Sequence, residues 1–233
     1  FSGLIFFLTL FDSTSAPPPG IVLNPASQKV LRTSNVDISE YLATEAISGA
    51  EVLSNSVRKK ISPLKINADE WLKITKEAHL MGFKTTATMM FGHAEEDDDI
   101  LEHLGKIRDL QDLTGNFLSF IPWTFKPENT FMKKTISSEI GGDRYLRVLG
   151  LSRIFLDNFK YIQGSWFTQG FKVGGLSLHF GANDVGGTLL QENVLKSANN
   201  PYKAGIDEIV HIIKSEGFTP VQRSTFYKEI KKY

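Results

Sequence analysis

From Gly49 onward the chain alternates short apolar runs with amphipathic stretches about 30 to 40 residues apart, the rhythm of successive βα units. In INADEWLKITKEAHLMG, Asn67 stands where a helix cap belongs and Glu70 completes a capping box. Trp71, Ile74 and Ala78 then share one face until Gly82 stops the helix. FKTTATMMF follows, and its lack of polar alternation after Thr88 predicts a strand buried on both faces, as parallel strands are. Beyond His93, Asp97, Asp98 and Asp99 fall at the start of another helix, where the positive end of its dipole favours carboxylates. Ile100, Leu104, Ile107 and Leu110 form its buried stripe. Gly115 ends that helix, and FLSFIPW supplies the next strand.

A further helix is expected from about Asp143 to Phe159, with Leu146, Leu149, Ile154 and Phe155 on its apolar side. A strand around KYIQGSW, a Gly-interrupted helical stretch QGFKVGGLSLHFG, and ANDVGGT as the last strand with its turn come next. The tail GIDEIVHIIKSEGFTPVQRSTFY reads as a helix, a stop at Gly217 and a short extended finish. The opening FSGLIFFLTLF is shorter than the roughly 20 residues a bilayer span requires. It fits either a buried strand followed by the Pro-rich linker DSTSAPPPG, or the apolar part of a secretory signal without its basic flank. Residues 1–34 therefore stand apart from 35–233.

Composition narrows the chemistry. Lys plus Arg and Asp plus Glu number 26 each, so no whole-molecule field draws the chain to nucleic acid or an anionic membrane; a small molecule is the expected partner. Cysteine is absent, which excludes disulfides, thiolate metal sites and an iron–sulfur cluster held by this chain.

Parallel βα architectures bind ligands beyond the C-terminal ends of their strands. Reading each strand to its exit selects Glu51; Gly92, His93 and Glu95; Pro122 and Trp123; Gln163, Ser165, Trp166 and Gln169; and Asn183 and Asp184. Rich in amides and aromatics and poor in Lys and Arg, this set suits a flat, neutral or weakly charged organic ligand better than a polyphosphate. His93 and Glu95 form an H-x-E without the cysteine pair of zinc deaminases, and no HExxH, G-x-S-x-G or P-loop pattern occurs. No metal-ligand set is predicted. Gly186-Gly187 reads as a tight turn or a phosphate cradle. His79, His103 and His211 read as solvated or core-edge helix residues, His179 as structural, and Trp123 and Trp166 as ligand walls or as plugs of the mouth.

GAEVLSNSVRKKISPLKINADEW, TTATMMFGHAE, LQDLTGNFLSFIPWTFKPENT, LDNFKYIQGSWFTQGFKVG and LSLHFGANDVGGT resemble, in that order, the radical S-adenosylmethionine enzymes of the futalosine route to menaquinone. ISP at 61–63, TTATMMFGH at 85–93, FIPW at 120–123 and GSWFTQG at 164–170 are more similar to the cyclase branch than to aminofutalosine synthases or the cofactor F420 enzymes. The resemblance implies an α/β fold, a partial (β/α) TIM-type barrel lacking its first strands, in a cytoplasmic enzyme. It further implies S-adenosyl-L-methionine cleaved at a 4Fe-4S cluster, its deoxyadenosyl radical taking a ribose hydrogen from dehypoxanthine futalosine, and closure of the sugar radical onto the aromatic ring. Thr86, Thr88, Met90, Gly92, His93, Glu95 and Pro122 would lie along the S-adenosylmethionine, with Ile121, Pro122 and Trp123 as the next wall. Trp123, Gln163, Ser165, Trp166, Gln169 and Asn183 would face the substrate. Asp184 and Glu51 would handle protons or bind ribose, with an Asx turn before Gly186 as the alternative for Asp184.

The CxxxCxxC of that family is absent. The expectation is therefore a C-terminal portion of the barrel that turns over nothing alone and whose open strand edges are covered by the missing part. An aminofutalosine synthase-like enzyme and a non-catalytic, repurposed half-barrel are the alternatives.

Overall fold

The computed structural model describes residues 4–8, 50–136, 138–188, 202 and 204–233. The whole of the expected Pro-rich linker DSTSAPPPG lies outside the described residues. The elements are β1 (Leu4–Leu8), α1 (Asn55–Ile61), α2 (Ala68–Leu80), β2 (Thr85–Phe91), α3 (Asp97–Thr114), β3 (Phe117–Thr124), α4 (Gly142–Phe155), β4 (Tyr161–Ile162), α5 (Trp166–Gln169), α6 (Phe171–Leu176), β5 (Asp184–Gly187), α7 (Ile206–Ser215), β6 (Thr219–Arg223) and β7 (Glu229–Lys232). The result is a mixed α/β fold with parallel sheets.

β2, β3 and β4 pair in that order, all parallel. A parallel bridge from Gln163 to Asp184 carries the pairing on to β5. β1 lies between β5 and β6, parallel to both, and β7 closes this second sheet antiparallel to β6. ANDVGGT is thus a strand but not the last one. Every parallel strand exits toward the same end, so side chains at these exits can meet one ligand.

Each end of this strand series carries further contacts among the described residues. Residues 50–54, an irregular segment with Glu51 at φ 49°, flank β2, Met90 N–H donating to Glu51 O at 3.0 Å. Side chains take other main-chain groups there: Arg58 donates to Ala50 O, Lys106 donates to Leu53 O, and His103 Nδ1 accepts Leu53 N–H. At the other end, β7 carries Glu229, Lys231 and Lys232 on a wholly exposed strand, and charges of this kind discourage edge-to-edge pairing.

The helices form where their caps allow. Asn67 Oδ1 accepts Glu70 N–H while Glu70 accepts Asn67 N–H, the expected reciprocal box. Asp99 accepts Glu96 N–H at 2.9 Å, and Gly115 ends α3 at φ 65°. The buried stripe of α3 is the expected one, joined by His103 and Gln111.

Two helix faces differ from the sequence reading. On α2 the buried positions are Trp71, Thr75 and His79, and Ile74 is exposed. Polar side chains can occupy this face because each is satisfied. Thr75 donates to Trp71 O, and the His79 ring nitrogens meet Thr114 Oγ1 at 2.7 Å and Thr85 Oγ1 at 2.8 Å. α4 ends at Phe155, and Ile154 is exposed; Tyr145, Leu146, Val148, Leu149 and Ser152 are buried instead. His79 and His103 are therefore core residues. Burial pushes the His79 imidazole down to about 4 and His103 down to about 3, the Arg58 and Lys106 charges adding to the latter.

The sheet's covered face is the one that carries Ala87, Met89, Phe91, Phe120 and Pro122. Phe91 stacks on Tyr145 of α4, and Phe120 meets His103 of α3 and Phe159. β2 alternates strictly: Thr85, Ala87, Met89 and Phe91 are buried, while Thr86, Thr88 and Met90 are half-buried on the opposite face. That alternation corrects the expectation of a strand buried equally on both sides.

Candidate functional site

The second face of the sheet gathers the candidate site. Register places Thr88 beside Ile121 and Met90 beside Trp123, and all four side chains are partly exposed. Side chains of paired residues in a parallel sheet share a face. The row continues toward Tyr161, which pairs with Ser119, and through Gln163, bridged to Asp184.

A polar cluster lies beneath this row. Asp184, fully buried, accepts from Arg223 Nη2, from Tyr227 OH at 2.5 Å and from Gly186 N–H at 2.8 Å. The last contact is the Asx-type alternative, since the side chain of residue i takes the amide of i+2. Arg223 also donates to Tyr227 OH at 3.1 Å and lies 3.7 Å from the centre of its ring. Tyr161 stacks on Tyr227 at 3.7 Å, and Ser119 bonds the same phenol. Burial and the Asp184 charge push the Tyr227 phenol well above its ordinary value, so it stays protonated and donating. Five residues from β3, β4, β5, β6 and the turn before β7 thus form one hydrogen-bonded floor, in which Arg223 Nε is buried without a partner among the described residues.

Ser119, Tyr161, Arg223 and Tyr227 escaped the sequence reading. Arg223 ends β6 as Phe91 ends β2, so the strand-exit rule would have chosen it had the tail been counted as a parallel strand. Nothing in the pattern around Tyr227 signals that the turn folds back under the sheet, where the residue adopts φ 60°.

The other candidate residues separate into two groups. Thr86, Thr88, Met90, Trp123 and Gln163 share the second face. His93 and Glu95 instead form a closed clamp at the exit of β2. Glu95 accepts Gly92 N–H at 2.6 Å and His93 N–H at 2.9 Å, and His93 Nε2 donates to Met90 O at 2.9 Å. The neutral ring accepts Ala94 N–H at Nδ1; protonation converts that atom into a donor toward Glu95 Oε2, 2.9 Å away. Burial alone would raise the Glu95 carboxyl, but His93 and the two backbone amides outweigh it and hold the group at about 2. Gly92, at φ 95°, could carry no side chain, because a Cβ would come 2.7 Å from Ile140.

Pro122 lies on the helix-covered face, and its carbonyl accepts Ser165 Oγ at 2.6 Å. Ser165 N–H donates to Tyr145 OH at 2.7 Å, so both its polar groups hold β3, α4 and the β4 exit together. Trp166 is a core side chain stacked on Phe171 at 5.5 Å, with its Cβ against Gly174. Gln169 donates to Thr124 Oγ1 at 2.7 Å. Asn183 accepts from Ile162 N–H and Arg153 and donates to Lys160 O, which engages both ends of its amide. Glu51 pairs with Lys65 at 2.6 Å, with β2, β3 and β4 between it and Asp184; the two carboxylates are not a facing pair. Gly186 is neither a tight turn nor an anion cradle. It lies within β5 at φ 71° with the Gln163 carboxamide against its Cα.

Comparison with known proteins places the chain in a family. The family described as CofH/MqnC C-terminal region matches residues 114–232, just over half of the chain. The chain belongs to this family. Cyclic dehypoxanthine futalosine synthase of Streptomyces coelicolor is 44% identical over 211 residues, covering 87% of this chain and 52% of that protein. Aminodeoxyfutalosine synthase of Thermus thermophilus is 38% identical, over 78% of this chain and 50% of that protein. A 5-amino-6-(D-ribitylamino)uracil--L-tyrosine 4-hydroxyphenyl transferase of Methanococcus maripaludis is 41% identical, over 79% and 53%. The chain thus spans about half the length of these relatives. Every residue of the floor lies inside the matched region, whereas β2, α1, α2 and most of α3 precede it. Among the described residues no helix is long and apolar enough to cross a membrane.

Proposed function

We propose that this chain is the substrate-holding part of a radical S-adenosylmethionine cyclase that closes dehypoxanthine futalosine into its cyclic form during menaquinone synthesis. The sheet is read as part of a TIM-type barrel, and its second face as the barrel's interior. One observation carries the reading: Thr88, Met90, Trp123 and Gln163 converge on one face, at the common exit of parallel strands, in a chain 44% identical to a protein named for this product.

Thr86, Thr88 and Met90 fit a purine edge and ribose laid along β2, giving hydroxyl contacts and a polarisable side chain. Bound beside a reduced iron–sulfur cluster, S-adenosylmethionine would supply a deoxyadenosyl radical. The cluster itself does not fit this chain. It has no cysteine, and among the described residues no three His, Asp or Glu side chains are grouped to hold a metal ion. No step through the cluster is therefore assigned to its residues. Their work is to bind, orient and exclude water: Trp123 and Ile121 present apolar surface to an aromatic ring, and Gln163 offers an amide to the sugar. Glu51, close to the S-adenosylmethionine side, keeps the role of ribose acceptor. Asp184 acts through the floor it organises.

The part of the Streptomyces coelicolor relative that this chain does not cover, supplied as a separate polypeptide and reconstituted anaerobically with iron and sulfide, tests the proposal. The mixture should convert dehypoxanthine futalosine to its cyclic product, and this chain alone should release no deoxyadenosine. Turnover by the chain alone would contradict the assignment, as would aminodeoxyfutalosine as the product of the mixture.

A further inference from the structure

Gln163 is 8% exposed, and among the described residues its carboxamide has no hydrogen-bond partner, while its polar ends keep a narrow opening to solvent. With no protein group to bond it, the amide at this nearly closed strand exit can be completed only by what enters from the open face, water or a ligand that displaces it. Its surroundings are fixed. The amide Nε2 lies 2.7 Å from the position a Gly186 Cβ would take, and Gly186 is held at φ 71° with its N–H on Asp184 Oδ1. The second oxygen of Asp184 is held by Arg223 and Tyr227. Tyr227, Arg223, Asp184, Gly186 and Gln163 form an unbroken series of contacts from the floor to the open face.

We propose that Gln163 is a specificity-determining residue that both gives and takes a hydrogen bond to an uncharged hydroxyl-bearing ring. Tyr227 and Arg223 are positioning residues that hold it through Asp184 and Gly186. A carboxamide has one accepting and one donating end, and a hydroxyl satisfies either. A phosphate or carboxylate would use only the donating end and oppose the carbonyl. The floor adds no net charge to attract an anion, because Arg223 offsets Asp184. The ligand class rests on the proposed function; the role of the amide rests on its own geometry.

The test uses the 15N-labelled chain, with the Gln163 side-chain amide signal identified by its loss in Gln163→Leu. Dehypoxanthine futalosine and adenosine are the two probes. Saturating dehypoxanthine futalosine should move the Gln163 signal, and Gln163→Leu and Gln163→Glu should each weaken its binding about tenfold. Tyr227→Phe should move the Gln163 signal in the free protein, which a purely stabilising role would not do, and Arg223→Lys should do the same. Normal binding of dehypoxanthine futalosine by Gln163→Leu would overturn the inference and leave the proposed function standing. Movement of the Gln163 signal by adenosine, with no binding of dehypoxanthine futalosine, would uphold the inference and remove that substrate. A Gln163 signal unmoved by either probe would overturn the inference.

Discussion

Tyr227 donates to Asp184 across the width of β6 and β1, and the two residues, 43 apart in sequence, meet at 2.5 Å in the buried floor of the sheet. Asp184 also bears the Arg223 guanidinium, with side chains 0% and 5% exposed. Removing the carboxylate would leave a buried cation without its counter-ion, a loss of about 3 to 5 kcal/mol. Asp184→Ala should therefore lower the urea midpoint strongly. Tyr227→Phe, which removes the phenol's bonds to Asp184, Arg223 and Ser119 but keeps the ion pair and the stack on Tyr161, should cost less, about 1 to 3 kcal/mol. Equal costs for the two variants would show that the ion pair does not hold the floor.

Acid should weaken the fold through its buried imidazoles. His79 and His103 are held at about 4 and about 3 when folded and rise to about 6.5 when unfolded. Between those values the unfolded chain binds the extra protons. Stability is therefore full above about pH 6.5 and declines as pH falls toward 4 and then 3. The Glu95 carboxyl, held near 2, adds a loss in the same direction below about pH 4.5. Urea unfolding from pH 7.5 to 4.5 should show stability rising with pH, by a few kcal/mol in all, and His79→Gln should flatten that slope. A flat profile in the parent protein would contradict the burial of both rings.

Gly174 meets Trp166 without room for a methyl group: a Cβ there would come 2.5 Å from Trp166 Cβ and 3.0 Å from its Cα. Gly174→Ala should cost about 1 to 3 kcal/mol through overpacking and shift Trp166 fluorescence. An unchanged melting midpoint and emission would place Trp166 outside the core.

Asn67→Ala removes one half of a reciprocal cap and should cost about 1 kcal/mol, measured by thermal or urea unfolding. Asn67→Ser should recover most of it, since a serine hydroxyl accepts the same Glu70 amide. A neutral Asn67→Ala would mean that tertiary packing alone fixes the start of α2.

The helix starts and the β2 and β3 strands were legible in the sequence because their signals are local: a cap, an αL glycine, an apolar run. The buried face of α2 was not, because Thr75 and His79 are made compatible with the core by partners at Thr85 and Thr114, far off in the chain. At the site, the strand-exit rule selected Trp123 and Gln163, which share the face of Met90. The same rule could not tell which exit side chains turn inward to hold the scaffold, as Ser165, Trp166, Gln169 and Asn183 do. That distinction depends on partners such as Tyr145, Thr124 and Arg153. The floor was invisible for a related reason, as Arg223 and Tyr227 gain their meaning only from Asp184.

Hydrogen–deuterium exchange with and without dehypoxanthine futalosine tests the central claim, that the strand exits share one ligand face. Added ligand should slow exchange together at 88–92, 121–125 and 161–165, and leave the outer turns of α2 and α4 unchanged. Protection confined to those helices, or no protection at a saturating concentration, would contradict it.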